Sequence, residues 1–165
     1  MKRQEGASLG ELLCALVILS VLMMMAMPVI GSWRESAQHR AFARELASIM
    51  RECRSRAIAT NLEHRVEIDL EESRFRLSHG NRANNSTASS WDENVIREWT
   101  DLPHNVTLKA NVNCNLSEGT VNMHFNPSGS STSRYICIVD KTDTARFQVG
   151  VGFAATGRVV VRDEW

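Results

Sequence analysis

The chain has 165 residues, 43% of them hydrophobic, and 19 lysines and arginines balance 19 aspartates and glutamates. That balance excludes binding to nucleic acid by overall charge and leaves only a local basic patch to be considered. After an N-terminal helix, about one hundred residues remain, enough for one globular domain.

In chain order, the first element is a charged leader, Met1-Lys2-Arg3-Gln4-Glu5-Gly6, followed by an uncharged apolar run from Leu12 to Ile30. A secretory signal places its cut after the apolar stretch. Here the only small-residue cut site beside charge, Gly6-Ala7, precedes it, so cleavage would keep the run on the mature chain as an anchor. Loss of residues 1–6 removes Lys2, Arg3 and Glu5 and leaves the mature chain one unit negative. As a helix the run spans about 28 Å, enough to cross the hydrocarbon of a bilayer. Lys2 and Arg3 orient its start to the cytoplasm, and Trp33 stands where an interfacial aromatic belongs. Glu11 is a single carboxylate at the edge of the run, and Pro28 removes a helical hydrogen bond and bends the axis.

Gly6 before the cut, Glu11 as the fifth residue after it and Pro28 inside the apolar helix resemble the prepilin-type signal of type IV pilins and type II secretion pseudopilins. The resemblance implies cleavage after Gly6 and N-methylation of Ala7 by a prepilin peptidase. It also implies that Glu11 meets the free amine of a neighbouring subunit's first residue, which a carboxylate at the bilayer edge needs to offset its desolvation. The plainer role is a glutamate snorkelling to the headgroups. Ala7 and Gly10 depart from the family's usual G-F-T-L-x-E-L.

The helix is expected to continue over 31–61. Phe42, Leu46, Ile49, Met50, Cys53 and Ala57 recur every three or four residues, with Arg40, Arg44, Arg51, Glu52 and Arg54 between them, and Asn61 is its stop. Residues 62–165 then switch to a period of two. Val66-Ile68-Leu70 and Phe75-Leu77 flank Glu71-Glu72-Ser73 as a hairpin, and the Asn/Ser-rich stretch His79 to Ser90 reads as a loop. Trp91 and Trp99 flank a short turn of structure and are expected to pack in the core. Further alternation covers Val106-Leu108-Ala110-Val112, Val121-Met123-Phe125, Tyr135-Cys137-Val139 (or the opposite face, Ile136-Ile138), Phe147-Val149-Val151 and Val159-Val161. One long helix followed by short strands predicts an α+β fold, the helix stripe covering antiparallel sheets.

Three further segments narrow the resemblance. Arg51-Glu52-Cys53-Arg54-Ser55-Arg56-Ala57-Ile58, His124-Phe125-Asn126-Pro127-Ser128-Gly129 and Gly157-Arg158-Val159 are similar, in order, to motifs of GspH/FimT-type minor pseudopilins. Pro127 and Gly129 dictate a tight turn whatever the family. The resemblance implies a type IV pilin-like fold and a single-pass protein of the bacterial inner membrane with a periplasmic domain. It also implies partners: other major and minor pseudopilins, the prepilin peptidase, the inner-membrane assembly platform, membrane lipid and secreted cargo. A FimT-like minor pilin of a type IV pilus is the alternative. Some of those pilins resemble DNA receptors using a G-R-x-R segment, here Gly157-Arg158-Val159-Val160-Val161-Arg162. Asp163 and Glu164 oppose Arg158 and Arg162, and phosphate binding needs several cations, which weighs against DNA.

Of the four cysteines, Cys14 and Cys53 are too far apart on one helix to pair. Cys114 and Cys137 fall among the strands, where an oxidising periplasm favours a disulfide, and two buried thiols are the alternative. Neither the cysteines nor the five histidines show metal-ligand spacing. No nucleophile, zinc or phosphate-loop motif is present, so the sequence predicts neither catalysis nor a cofactor.

Overall fold

Helix α1 (Leu9–Thr60) opens the chain in a computed structural model that describes residues 9–83, 94–102 and 106–163, side chains of 25–32, 82 and 83 excepted. Two compact units divide between Ala37 and Gln38, so α1 contributes to both. Its first part is apolar all round: Leu9, Leu12, Leu13, Leu16, Val17 and Ile18 are all exposed, as are Leu19 through Met24 where large. Ser20 donates its hydroxyl to the Val17 carbonyl at 2.8 Å, so its one polar group is satisfied within the helix. Trp33 is exposed as well. Among the described residues no helix is long and apolar enough to cross a membrane, and the expected span 12–30 runs into residues 25–32.

Among the described residues the second unit holds eight strands: β1 (Leu62–Asp69), β2 (Arg74–Ala83), β3 (Asn94–Asp101), β4 (Thr107–Ala110), β5 (Thr120–Phe125), β6 (Arg134–Val139), β7 (Ala145–Val151) and β8 (Val159–Arg162). They form two antiparallel sheets of order β3-β2-β1-β5 and β4-β6-β7-β8. α1 supplies Leu46, Ala47, Met50, Cys53 and Ala57, all with no exposed surface, to a core shared with both sheets. Burial of each large side chain in that stripe contributes about 1.5–3 kcal/mol. Phe42 meets Phe75 with ring centroids 6.5 Å apart. Desolvation pushes the Cys53 thiol well above its ordinary pKa, so it packs as a small neutral group. α1 stops where Asn61 takes φ 54°, a left-handed conformation that asparagine tolerates.

Several sequence expectations need correcting. β2 runs on to Ala83, because pairing with β1 (His64 opposite His79, Leu62 opposite Ala83) extends a strand that composition marks as loop. Asn94–Asp101 forms β3, a largely exposed edge strand with Ile96 packed against the core, and register shifts in its pairing with β2 break the alternation. Trp99 is not a core residue: it lies under the guanidinium groups of Arg74 and Arg76, at 4.6 and 4.7 Å from the ring centroid. Trp91 lies outside the described residues. β4 ends at Ala110, and Val112 is exposed in the following turn. In β6 it is Ile136 and Ile138 that join the core cluster, while Tyr135, Cys137 and Val139 are buried on the other face.

That other face is covered by the segment after β4. Cys114 and Cys137 are disulfide-bonded with Cα atoms 5.7 Å apart. Asn111 donates its backbone N–H to Tyr135 O at 3.0 Å, and buried Gln148 donates its side-chain amide to Val112 O at 3.0 Å. On the outer face of the first sheet, Glu67 is buried between Arg65 and Arg76, a placement that its ion pairs make tolerable.

Candidate functional site

The last turns of α1, the turn after β5 and the turn before β8 are far apart in sequence. They meet at one end of the second unit. Arg54 Nε donates to Gly129 O at 3.0 Å, bridging 75 positions of sequence. The β5 turn is closed by Gly129 N to Asn126 O at 2.9 Å and Asn126 N to Ser130 O at 2.8 Å. Ser131 N to Ala154 O, 2.8 Å, ties this turn to the β7–β8 connection. Gly129 and Gly157 both have positive φ, 82° and 56°. A Cβ on Gly157 would stand 2.2 Å from Gly129 O and 3.0 Å from Arg54 Nε. Only glycine admits this approach of two backbones under one guanidinium.

Beside the junction, Arg51, Arg54, Thr156, Gly157, Arg158 and Val159 line an open cleft of about 460 Å³. Arg51 and Arg158 are exposed there, and no carboxylate within the described residues pairs with either. The nearest helical acid, Glu52, is held instead by Arg56 at 2.8 Å. Phe153, whose carbonyl accepts Thr156 N and Gly157 N, has a side chain 79% exposed. Ile58, next to Gly129, is exposed too. An aromatic and an aliphatic group beside three guanidinium groups is the composition of a protein-binding surface more than of a catalytic pocket.

Arg158 and Arg162 end in different surroundings. Arg158 lines the cleft, whereas Arg162 stacks on Tyr135, 4.7 Å from its ring centroid, on the face of β8 away from the core. The sequence singles out Arg51 and Arg54 within a GspH/FimT-like segment but assigns neither of them a binding role. Their spacing with Arg40 and Arg44 along one helical face was the available signal. Glu11 lies in the first turn of α1, where a carboxylate complements the helix dipole. Pro28 falls within α1, its side chain outside the described set, and Gly6 and Ala7 lie outside the described residues. Among the described residues no group of three acidic, histidine or cysteine side chains is arranged to hold a metal ion.

Besides Cys53, two described titratable groups of this unit are displaced. Burial, and then neighbouring His79, hold the His64 imidazole below its ordinary pKa, against a hydrogen bond to Leu62 O. The Thr142 hydroxyl, then the Thr144 amide and Arg146, hold Asp140 well below the carboxylate range and so fix the β6–β7 turn.

Comparison with known proteins decides the family. The profile of "Type II transport protein GspH" matches residues 43–158, which take in all three segments that meet at the junction. The chain belongs to the GspH family. None of the curated proteins matches it in sequence. Two solved structures of the minor pseudopilin EpsH from the type 2 secretion system of Vibrio cholerae share its fold. They superpose with TM-scores of 0.56 and 0.57 at 16% and 12% identity, over 76% and 77% of this chain and 97% of theirs. The type IV minor pilin FimU of Pseudomonas aeruginosa is similar at a TM-score of 0.51 and 16% identity, over 79% of this chain and 92% of that one. This GspH-family chain is thus an α+β protein of a type II transport family, with its helix packed on antiparallel sheets.

Proposed function

We propose that this GspH-family protein enters an envelope filament by its N-terminal helix, after cleavage following Gly6 and methylation of Ala7, and works by packing and not by catalysis. The observation that carries this is the first part of α1: a helix apolar on every face, exposed along its length, in a chain of a type II transport family. Such a helix is stable only against lipid or other helices. The uncharged run from Leu12 to Ile30 supports a single inner-membrane anchor, with the second unit in the periplasm. Glu11 then serves register, pairing with the amine of a neighbour's Ala7, and Pro28 shapes the packed helix. Other pseudopilins, the prepilin peptidase, the assembly platform and lipid are the partners, and cargo meets the sheet unit. The FimU likeness supports the type IV pilus as second setting, which a neighbouring secretin and secretion ATPase, against a retraction ATPase, distinguishes.

Mass spectrometry of the membrane-extracted protein tests this directly. The expected mature N-terminus is N-methyl-alanine at position 7, and Glu11→Ala is expected to be processed yet excluded from filaments. A mature chain beginning beyond Ile30, or normal assembly of Glu11→Ala, would refute the anchor or the pairing respectively.

A further inference from the structure

We infer that the cleft lined by Arg51, Arg54 and Arg158 is a docking site for a carboxylate-bearing turn of the next pilin-like subunit along the filament, an inference that rests on the packing function proposed above. Three observations converge on it. The guanidinium groups come from two elements, α1 and the turn before β8, and Arg54 is fixed in place by Gly129 O. Arg51 and Arg158 are left exposed with no acidic partner in the described residues, so their charge is available to something outside the chain. Exposed Phe153 and Ile58 beside them supply apolar surface that would be desolvated with a polypeptide.

Unpaired guanidinium groups call for a carboxylate, and this fold itself offers one such acidic counterpart at the opposite end of the first sheet. There Asp69 pairs in register with Thr120, while His64 pairs with Phe125 at the cleft end. The turns at the Asp69 end carry Glu71, Glu72 and Glu118, all exposed, with Arg74 bound to Asp69 and Glu72. Glu71 accepts Gly119 N at 3.1 Å, which draws the two acidic turns together. The unit is therefore cationic at one end and acidic at the other, separated by about 20 Å, the length of a six-residue strand. A contact between unlike ends of this kind is heterologous and can therefore repeat along a filament. Arginine forks bind carboxylates in bidentate pairs, giving register as well as attraction. A compact group of three arginines suits one acidic turn. A nucleic-acid strand needs a longer cationic track, and Arg162 is occupied on Tyr135.

The test uses the full chain carrying Arg158→Lys, expressed in membranes with the other pilin-like subunits of its own system. A zero-length carbodiimide joins the introduced amine to any carboxylate in direct contact, and peptide mapping identifies the partner residue. Coupling to an aspartate or glutamate of another subunit, lost when Arg51→Glu is added, is expected. Co-purification of those subunits with no coupling, or coupling only within the chain, would overturn the docking site and leave the packing function standing. Failure of the wild-type chain to associate with any pilin-like subunit would overturn both. Protection of the amine by short single-stranded DNA, with no subunit coupling, would assign the cleft to nucleic acid instead. Arg54 is left unchanged because it closes the junction, and unchanged melting of the Arg51 and Arg158 variants guards against misfolding.

Discussion

Replacing both Cys114 and Cys137 by alanine isolates the contribution of one cross-link to this fold. The disulfide joins residues 23 apart in sequence. Closing a loop of that size removes denatured-state entropy worth about 3.4 kcal/mol at 25 °C. The native state loses little, because the bridged segment keeps independent ties, Asn111 N to Tyr135 O and Gln148 to Val112 O. For a unit spanning Gln38–Trp165, an unfolding entropy of about 2.1 cal/mol/K per residue converts this into a fall in Tm of about 13 °C. Thermal unfolding of the full chain in detergent, followed by tryptophan fluorescence, measures the shift, and reduced wild type is expected to match the double variant. The urea m-value is expected to rise, since the released unfolded chain exposes more surface. A double variant melting within about 3 °C of oxidised wild type would refute the reasoning that the bond acts through the unfolded chain.

Two other outcomes follow from the structure. His64 binds its proton more weakly when folded than when unfolded, so its contribution is present above the ordinary value of about 6.5 and is lost as pH falls below it; His64→Gln is expected to flatten the stability profile between pH 7 and 5 in urea titrations, and an unchanged slope would count against it. Gly157→Ala places a Cβ against Gly129 O and demands a left-handed alanine, so a loss of about 2–4 kcal/mol is expected in the same assay, whereas Gly119→Ala meets no neighbour and costs only its backbone strain.

The sequence alone determined the elements whose surroundings are uniform along their length. The apolar run before Pro28 needs no partner in the chain to be read, because its composition sets its preferred environment. The stripe from Phe42 to Ala57 and the alternation through β1, β5, β7 and β8 were legible because one face of each meets the core, and burial imprints its period on the residues. β3 was illegible for the converse reason: a largely exposed edge strand with one residue, Ile96, against the core and a shifted register has no regular period to imprint, and pairing with β2 makes it a strand. Tertiary structure alone decided the cleft. The segments that carry Arg54, Gly129 and Gly157 stand out in sequence as separate family-like motifs, but nothing local says that the three meet. Their meaning comes from a hydrogen bond across 75 residues and a backbone approach that no local pattern encodes. Charge on a helix surface reads the same whether water or another subunit will face it; which arginines lie beside which turn is settled by the packing of α1 on the sheets.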